Sequence, residues 1–386
     1  MQTDFLNISE LLSPEQRLIA QTVKDFSDRE IRPIIDDYAQ RAEFPIHLVK
    51  KFGELGVFGP TIPEVYGGGG LDYISYGLMC QEIERGDSGM RSTVSVQSSL
   101  VMGPIYEFGS EEQKRKYLPG LAKGEILGCF GLTEPDFGSN PGGLKTTIAK
   151  THGGYILNGS KIWISNAPFA DIAIVWARNE EGRMQGVIVE RGMKGFTTPE
   201  IHKKWSLRAS ATGELVFDQV FIPDENLLPD AVGLKAALDC LDKARYGISW
   251  GVLGAAMDCY ETALKYAGER IQFDRPISSF QLTQKKLAEM LTEITKGQLL
   301  AWRLGVLMNE GKATTTQISM AKRSNAEMAL NVARESRQIL GAMGISGDFP
   351  IMRHMLNLES VITYEGTHDI HLLILGAEIT GIQAFK

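Results

Sequence analysis

The apolar residues of this chain change their spacing twice, and those two changes constrain its architecture more than any other feature. From Pro14 to about Glu125 they recur every three or four positions, as in EQRLIAQTVKDFSDREIRPIIDDYAQ, the pattern of helices with a buried face. From Ile126 to about Pro229 they alternate in short runs parted by turns: YILNGSKIWIS, DIAIVWAR, the turn NEEG, MQGVIVERG and TGELVFDQVFIP. From Leu234 onward helical spacing returns in three long proline-free stretches, 234–272, 281–310 and 314–341. Helices, then strands, then helices, without strand–helix alternation, exclude a doubly wound sheet. The expectation is an α+β protein with an N-terminal helical domain (1–125), a central antiparallel β domain (126–230) and a C-terminal helical bundle (231–386).

A chain of 386 residues buries roughly three quarters of its unfolded surface, which leaves room for an enclosed site. Its 40 basic and 47 acidic residues carry a formal charge of −7 with no long block of either sign, which argues against nucleic acid as a partner. The cysteines at 80, 129, 240 and 259 match no zinc spacing, and His368 with His371 is too little for a site, so no metal is expected. No G-x-G-x-x-G follows a strand, and Gly154–Lys161 departs from a P-loop because Ser160 precedes the lysine. The opening MQTDFLNISELLSPEQ has no basic region or apolar core, and no window reaches a membrane span. A protein of the cytoplasm or, if processed, of the mitochondrial matrix is expected, with no membrane partner.

Three stretches carry chemistry. In 359–381, ESVITYEGTHDIHLLILGAEITG, Glu365 stands between a polar turn and an apolar helix, where lost hydration raises a carboxyl pKa and makes it a usable base. The same residues also suit a helix cap, and taken alone they favour the cap. The loop GCFGLTEPDFGSN, 128–140, offers glycines and hydroxyls to a polar ligand, or is an ordinary linker. In KIWISNA, 161–167, Trp163 is either core or the cover of an aromatic cofactor.

Taken together, FGLTEPDFGS (130–139), GSKIWISN (159–166), RIQFDRPISSFQ (270–281), RQILGAMG (337–344) and TYEGTHDI (363–370) resemble the acyl-CoA dehydrogenase family over essentially the whole chain. That family's fold has a helical domain, a central β-barrel domain and a helical bundle, so the central domain is expected to be an antiparallel β-barrel. The longer strings DSGMRSTVSVQSSLVM (87–102), KKWSLRASATGE (203–214) and LDKARYGISWGVLGA (241–255) are similar to members acting on glutaryl-CoA.

The resemblance implies a role for each matching position. Glu365 is implied as the base that removes the α-proton of an acyl thioester, with its own backbone N–H and a flavin ribityl hydroxyl receiving the enolate charge. Arg91 and Ser92 would hold the distal carboxylate of glutaryl-CoA; a solvated arginine, or one paired with Glu84, is the plainer alternative. Tyr364 is implied in decarboxylation to crotonyl-CoA and CO2, or simply in packing. FAD is the implied cofactor, with Phe130, Leu132, Thr133, Gly138, Ser139, Trp163, Ile164, Ser165 and Thr367 around it. Arg270, Phe273, Gln281, Gln338, Gly341 and Ala342 would reach the FAD of a neighbouring subunit in a homotetramer. CoA is placed near Leu238, Arg245, Ser139, Gly366 and Phe385, and electron-transfer flavoprotein is the implied electron acceptor. Asp274, Asn140 and the pair Ala342-Met343 depart from the family's usual residues. The alternatives are a non-decarboxylating or other short-chain dehydrogenase and a non-catalytic protein on the same fold.

Overall fold

The structure, a computed structural model, describes residues 3–384. Helix α1 (Pro14–Phe26) starts where the sequence signals it: Ser13 accepts from the Gln16 N–H at 3.1 Å and Gln16 from the Ser13 N–H at 2.9 Å, with Pro14 at the first helical position. There follow α2 (Arg32–Arg41), α3 (His47–Leu55), α4 (Tyr73–Gly86), α5 (Ser88–Ser95), α6 (Gly103–Phe108) and α7 (Glu111–Ala122). Every residue from Ile74 to Ile105 is buried, although this stretch carries Glu82, Glu84, Arg85, Asp87 and Arg91. A wholly buried helix is normally apolar all round, so each of these charges needs a partner.

Asp87 creates the break that positions two of them. In an extended conformation (φ −166°, ψ 139°), its carboxylate accepts from the Gly89 N–H at 2.7 Å and so caps α5. It also accepts from Arg353 Nη1 and Asn357 Nδ2, both at 2.8 Å, which anchors the break to the C-terminal bundle. The chain therefore turns between Glu84 on α4 and Arg91 on α5, and the two side chains meet. Beyond α5, Val96–Met102 is wound as a π-helix, a local form frequent at functional sites.

The central domain is built from β1 (Gly128–Gly131), β2 (Thr147–Thr151), β3 (Gly154–Ser165), β4 (Ile172–Arg178), β5 (Met184–Glu190), β6 (Phe196–Thr197), β7 (Thr212–Pro223) and β8 (Leu227–Val232). The strands run in the order β6-β7-β3-β2-β4-β5-β8, and β1 lies off this path against β4. Two parts of the expectation need correction. No closed barrel is formed, because β6 and β8 end the path without pairing with each other, and closure requires the edge strands to join. Nor is the sheet purely antiparallel: β1 pairs parallel with β4 in the register Gly128↔Ile172 to Gly131↔Val175, and β2 meets β4 in parallel at Thr147↔Arg178. The long connections between these strands allow parallel pairing, which a tight hairpin does not. Strand β1 falls inside the stretch that reads as a loop, since GCFG has no alternation to detect. Strand β8 carries Pro229 and pairs only with β5, an edge position where a missing N–H does no harm.

The C-terminal bundle comprises α8 (Gly233–Glu269), a hairpin of β9 (Ile271–Gln272) and β10 (Arg275–Pro276), α9 (Gln281–Asn309), α10 (Thr315–Leu340), α11 (Ile351–Val361) and α12 (His368–Thr380). Helix α8 crosses α4 at very close range, and its glycines make that possible. A methyl group at Gly251 would strike Glu84 Oε2 and lie about 3.0 Å from Arg91 Nε; at Gly254 it would land on the Gln81 carbonyl oxygen. At Gly254 the obstacle is backbone and cannot rotate away. Gly254→Ala is therefore expected to destabilise the protein by about 1–3 kcal/mol through overpacking. Thermal unfolding should show a lowered Tm, while Gly268→Ala, where a methyl meets nothing within 4 Å, leaves it unchanged or slightly raised.

Candidate functional site

Arg91 is fully buried, and its Nε donates to Glu84 Oε2 at 2.6 Å, both side chains showing 0% exposure. Its Nη2 donates to the Tyr364 hydroxyl, and the guanidinium carbon lies 5.8 Å from that ring's centre. The pairing with Glu84 considered from sequence is thus present, but it does not exhaust the guanidinium. Among the described residues Nη1 has no partner, nor does Glu84 Oε1. Burial alone would lower the Arg91 pKa; Glu84 more than offsets this and holds it well above its ordinary value. Ser92 is buried, one residue along α5 and thus about 100° round the helix from Arg91. Ser95, four residues on, shares Arg91's face, and its buried Oγ has no partner within hydrogen-bond geometry among the described residues. The Tyr76 hydroxyl stands 2.9 Å from Ser99 Oγ, one further turn along.

Tyr364 leads directly into the second part of the site. The cap of α12 is Thr367, whose Oγ1 accepts from the Ile370 N–H at 3.3 Å, so Glu365 lies outside the helix and is free of capping. Glu365 adopts a left-handed backbone (φ 52°), as does Gly366 (φ 95°). The residue is partly exposed, yet its Oε2 is covered and has no hydrogen-bond partner among the described residues. Burial pushes its pKa up, while Arg91, Arg245 and Lys322 pull the other way without overcoming it. Arg245, expected near CoA, donates from Nε to the Glu365 carbonyl at 2.8 Å and from Nη1 to Asp242 at 2.9 Å. Lys322, which no motif signalled, donates to the carbonyls of Tyr364 at 3.0 Å and Gly366 at 2.9 Å. Leu238 is half-buried on α8, two turns before Arg245. Phe385 lies outside the described residues.

The 128–140 loop and β3 form the third part. The Ile162 N–H donates to the Thr133 carbonyl at 3.0 Å, which brings the loop alongside Trp163. There the pairing of β3 with β7 slips between Lys161 and Ile164, and Trp163 takes φ 62° with 58% of its surface exposed. An indole held clear of the core by a β-bulge is a platform for a flat ligand. Around it Thr133 and Ser165 are half-buried, while Gly138 and Ser139 are exposed. One aromatic face with hydroxyls and free backbone fits the ring and polyol of FAD. Phe130, Leu132 and Ile164 are buried in hydrophobic clusters, so they are available to a cofactor chiefly through their backbone.

A buried ion pair holds this loop in shape, and its residues gave no signal in isolation. Lys161 Nζ donates to Glu134 Oε1 at 2.8 Å and to the Leu132 carbonyl at 3.2 Å; the Glu134 carboxylate also accepts from the Lys145 and Thr146 N–H groups at 2.6 and 2.9 Å. The chain at 132–134 and at 145–146, on either side of the rest of the loop, is thereby tied to Lys161 of β3.

The remaining expected cofactor residues gather elsewhere. Arg270 and Phe273 lie at the β9–β10 hairpin, Gln281 begins α9, and Gln338, Gly341 and Ala342 end α10. Phe273 (88% exposed), Phe280, Lys286 and Gln338 help line a groove of about 380 Å³. Among the described residues this cluster makes no hydrogen bond to the 128–140 loop or to β3. The turn itself is strained, with Phe273 at φ 52° and Asp274 at φ 63°.

Residues 13–125, 129–220 and 231–380 match the sequence families described as acyl-CoA dehydrogenase N-terminal, middle and C-terminal domains, respectively. The crystal structure of glutaryl-CoA dehydrogenase from Mycobacterium smegmatis is 49% identical, with a TM-score of 0.97 over 100% of this chain and 99% of that one. A glutaryl-CoA dehydrogenase from the same organism in complex with FADH2 gives 49% and 0.96, covering 98% and 97%. A glutaryl-CoA dehydrogenase complexed with glutaryl-CoA is 34% identical, with a TM-score of 0.92 over 96% of each chain. Mitochondrial short-chain specific acyl-CoA dehydrogenase of Rattus norvegicus is 35% identical over 373 residues, 95% of this chain and 90% of the relative.

Lys161→Met would leave the Glu134 carboxylate buried without its cation, at an expected cost of about 3–5 kcal/mol. A lowered Tm, together with a reduced ratio of flavin to protein absorbance after gel filtration, is the expected result.

Proposed function

This chain belongs to the acyl-CoA dehydrogenase family of FAD-dependent enzymes, and on that premise we propose that it oxidises glutaryl-CoA across its α,β bond, releases CO2 to leave crotonyl-CoA, and passes electrons to an electron-transfer flavoprotein. The observation that carries the substrate choice is the Arg91 guanidinium: fully buried, paired on one side with Glu84, yet with Nη1 unpartnered and the Ser95 hydroxyl on the same face. An apolar acyl tail would leave those donors unsatisfied, whereas a carboxylate accepts from them. The glutaryl-CoA dehydrogenases of similar sequence and structure support the same choice. The rat short-chain relative favours a second reading, a substrate without a distal carboxylate.

FAD supplies the hydride acceptor when bound, with Trp163, Thr133, Ser139 and Ser165 of this chain to hold it. Glu365 takes the α-proton; its covered, unpartnered oxygen suits a base that is poorly solvated. Charge developing on the thioester carbonyl is received by the Glu365 N–H, which makes no hydrogen bond among the described residues. Once the double bond is in place, the bond to the distal carboxyl carbon breaks, its electron pair stays with the carbon chain and CO2 leaves. The proton held by Glu365 then returns to the chain, which balances the step. Tyr364, hydrogen-bonded to Arg91, keeps the recognition end and the base in register. The exposed hairpin cluster, with Phe273 at 88% and Leu282 at 74% exposure, is proposed to meet the FAD of a neighbouring subunit in a homotetramer.

Anaerobic mixing with glutaryl-CoA should bleach the flavin and release CO2, while butyryl-CoA should react far more slowly; equal bleaching by both would favour the second reading. Arg91→Met should weaken use of glutaryl-CoA by about 2–5 kcal/mol in kcat/KM, as for loss of one member of a buried charge pair, without a comparable loss for butyryl-CoA. Glu365→Gln should reduce kcat at least about a hundredfold. Because burial raises the Glu365 pKa and the base must be ionised, activity should rise with pH through a value above the ordinary carboxylate range. A profile flat down to pH 4.5 would count against Glu365 as the base.

A further inference from the structure

At the turn before α12, three successive carbonyl oxygens are held by two buried cations from two different helices. Lys322 of α10 donates to those of Tyr364 and Gly366 at 3.0 and 2.9 Å, and Arg245 of α8 to that of Glu365 at 2.8 Å. Lys322 is 1% exposed, and these hydrogen bonds take its ammonium to carbonyl oxygens. Burying a charge in this way is unfavourable unless its hydrogen bonds offset the lost hydration. These bonds hold a backbone that Glu365 would not adopt by itself, since a left-handed conformation is unfavourable for an L-residue with a side chain. From the other side the fully buried His371 ring packs against the turn: a methyl at Gly366 would lie 2.8 Å from its Nε2.

We propose that Lys322 is a positioning residue for the reaction: with Arg245 it holds the carbonyls of residues 364–366 and so aims the Glu365 carboxylate, and its charge favours the ionised form of that carboxylate. This rests on Glu365 being the base. The charged and titratable groups around Lys322 are Arg245 with its partner Asp242 on α8, Arg91 on α5, and Tyr364 and Glu365 in the turn. His368 and His371 face it from α12, and Arg323 and Glu327 flank it on α10. Burial brings the Lys322 pKa down to about 7, against the pull of Glu365. His371 is brought to about 3 by burial and by Lys322 and Arg245, so near neutral pH it stays neutral and adds no positive charge to the turn.

Lys322→Met removes both the charge and the donors, Lys322→Gln removes the charge and keeps donors, and Glu365→Gln serves as the reference. Holoenzymes with parental flavin content are compared in two measurements. One is deuterium uptake from D2O at the α-carbon of glutaryl-CoA, followed by mass spectrometry; the other is kcat/KM against pH. Lys322→Met is expected to lower both kcat and deuterium uptake at least tenfold at pH 7 with KM within twofold of the parent, and to move the rising limb of the pH profile upward. Lys322→Gln should keep the moved limb but recover most of the rate above it. An unmoved limb in whichever Lys322 variants retain flavin overturns the proposal, whatever happens to the rate, because a merely structural lysine would lower the rate alone. Parental deuterium uptake by Glu365→Gln would instead overturn the assignment of the base and would be seen independently of Lys322.

Discussion

The buried pair Glu84–Arg91 is the constraint around which the rest of the site is arranged. Two full charges at zero exposure are tolerable only with close geometry and further hydrogen bonds, since desolvation otherwise exceeds their attraction. Several otherwise unconnected features follow from that need. Asp87 must break the helix so that the two side chains face each other, and α8 must carry glycine at 251 because any side chain there would strike both of them. Tyr364 must bring its hydroxyl to Nη2, which ties the arginine on α5 to the turn containing Glu365. The end of the pocket that would recognise substrate and the end that would react are thereby joined through one phenol.

A second theme is the use of buried or half-buried lysines to shape irregular backbone. Lys161 meets the Leu132 carbonyl and Glu134 below the 128–140 loop. Lys204 donates to the carbonyls of Leu207 and Ser210 and to Thr212 Oγ1, and Lys322 meets the carbonyls of Tyr364 and Gly366. An ammonium offers several donors from one point, which suits it to gathering acceptors from the inside of a bend. A helix or strand satisfies its own carbonyls; a ligand-binding loop cannot, and here a lysine does it instead.

Much of the fold could be read from periodicity because long helices repeat their signal many times. Residues 281–310 and 314–341 are apolar on one side over many turns, and the helices found there, Gln281–Asn309 and Thr315–Leu340, start and stop within a residue of that pattern. The strand Gly128–Gly131 was hidden because four small and mixed residues have no period. The parallel pairing of β1 with β4 and the open sheet were hidden because alternation marks a strand without naming its neighbour. Glu365, Arg91 and Trp163 stood out through recognisable strings, whereas the Glu134–Lys161 pair and Lys322 act across 27 or more residues and Ser95 through a shared helix face, and in isolation all four look like ordinary surface or core positions.

Sequence by itself determined the α, β, α order, the family and the residue types that the chemistry needs, because these are local patterns carried by adjacent residues. Only the tertiary structure decided that Thr367 rather than Glu365 caps α12, that Arg91 is shared between Glu84 and Tyr364, and that Arg245 faces the Glu365 carbonyl. Each of those outcomes depends on which groups lose water together, and that is settled by the packing of helices far apart in the chain.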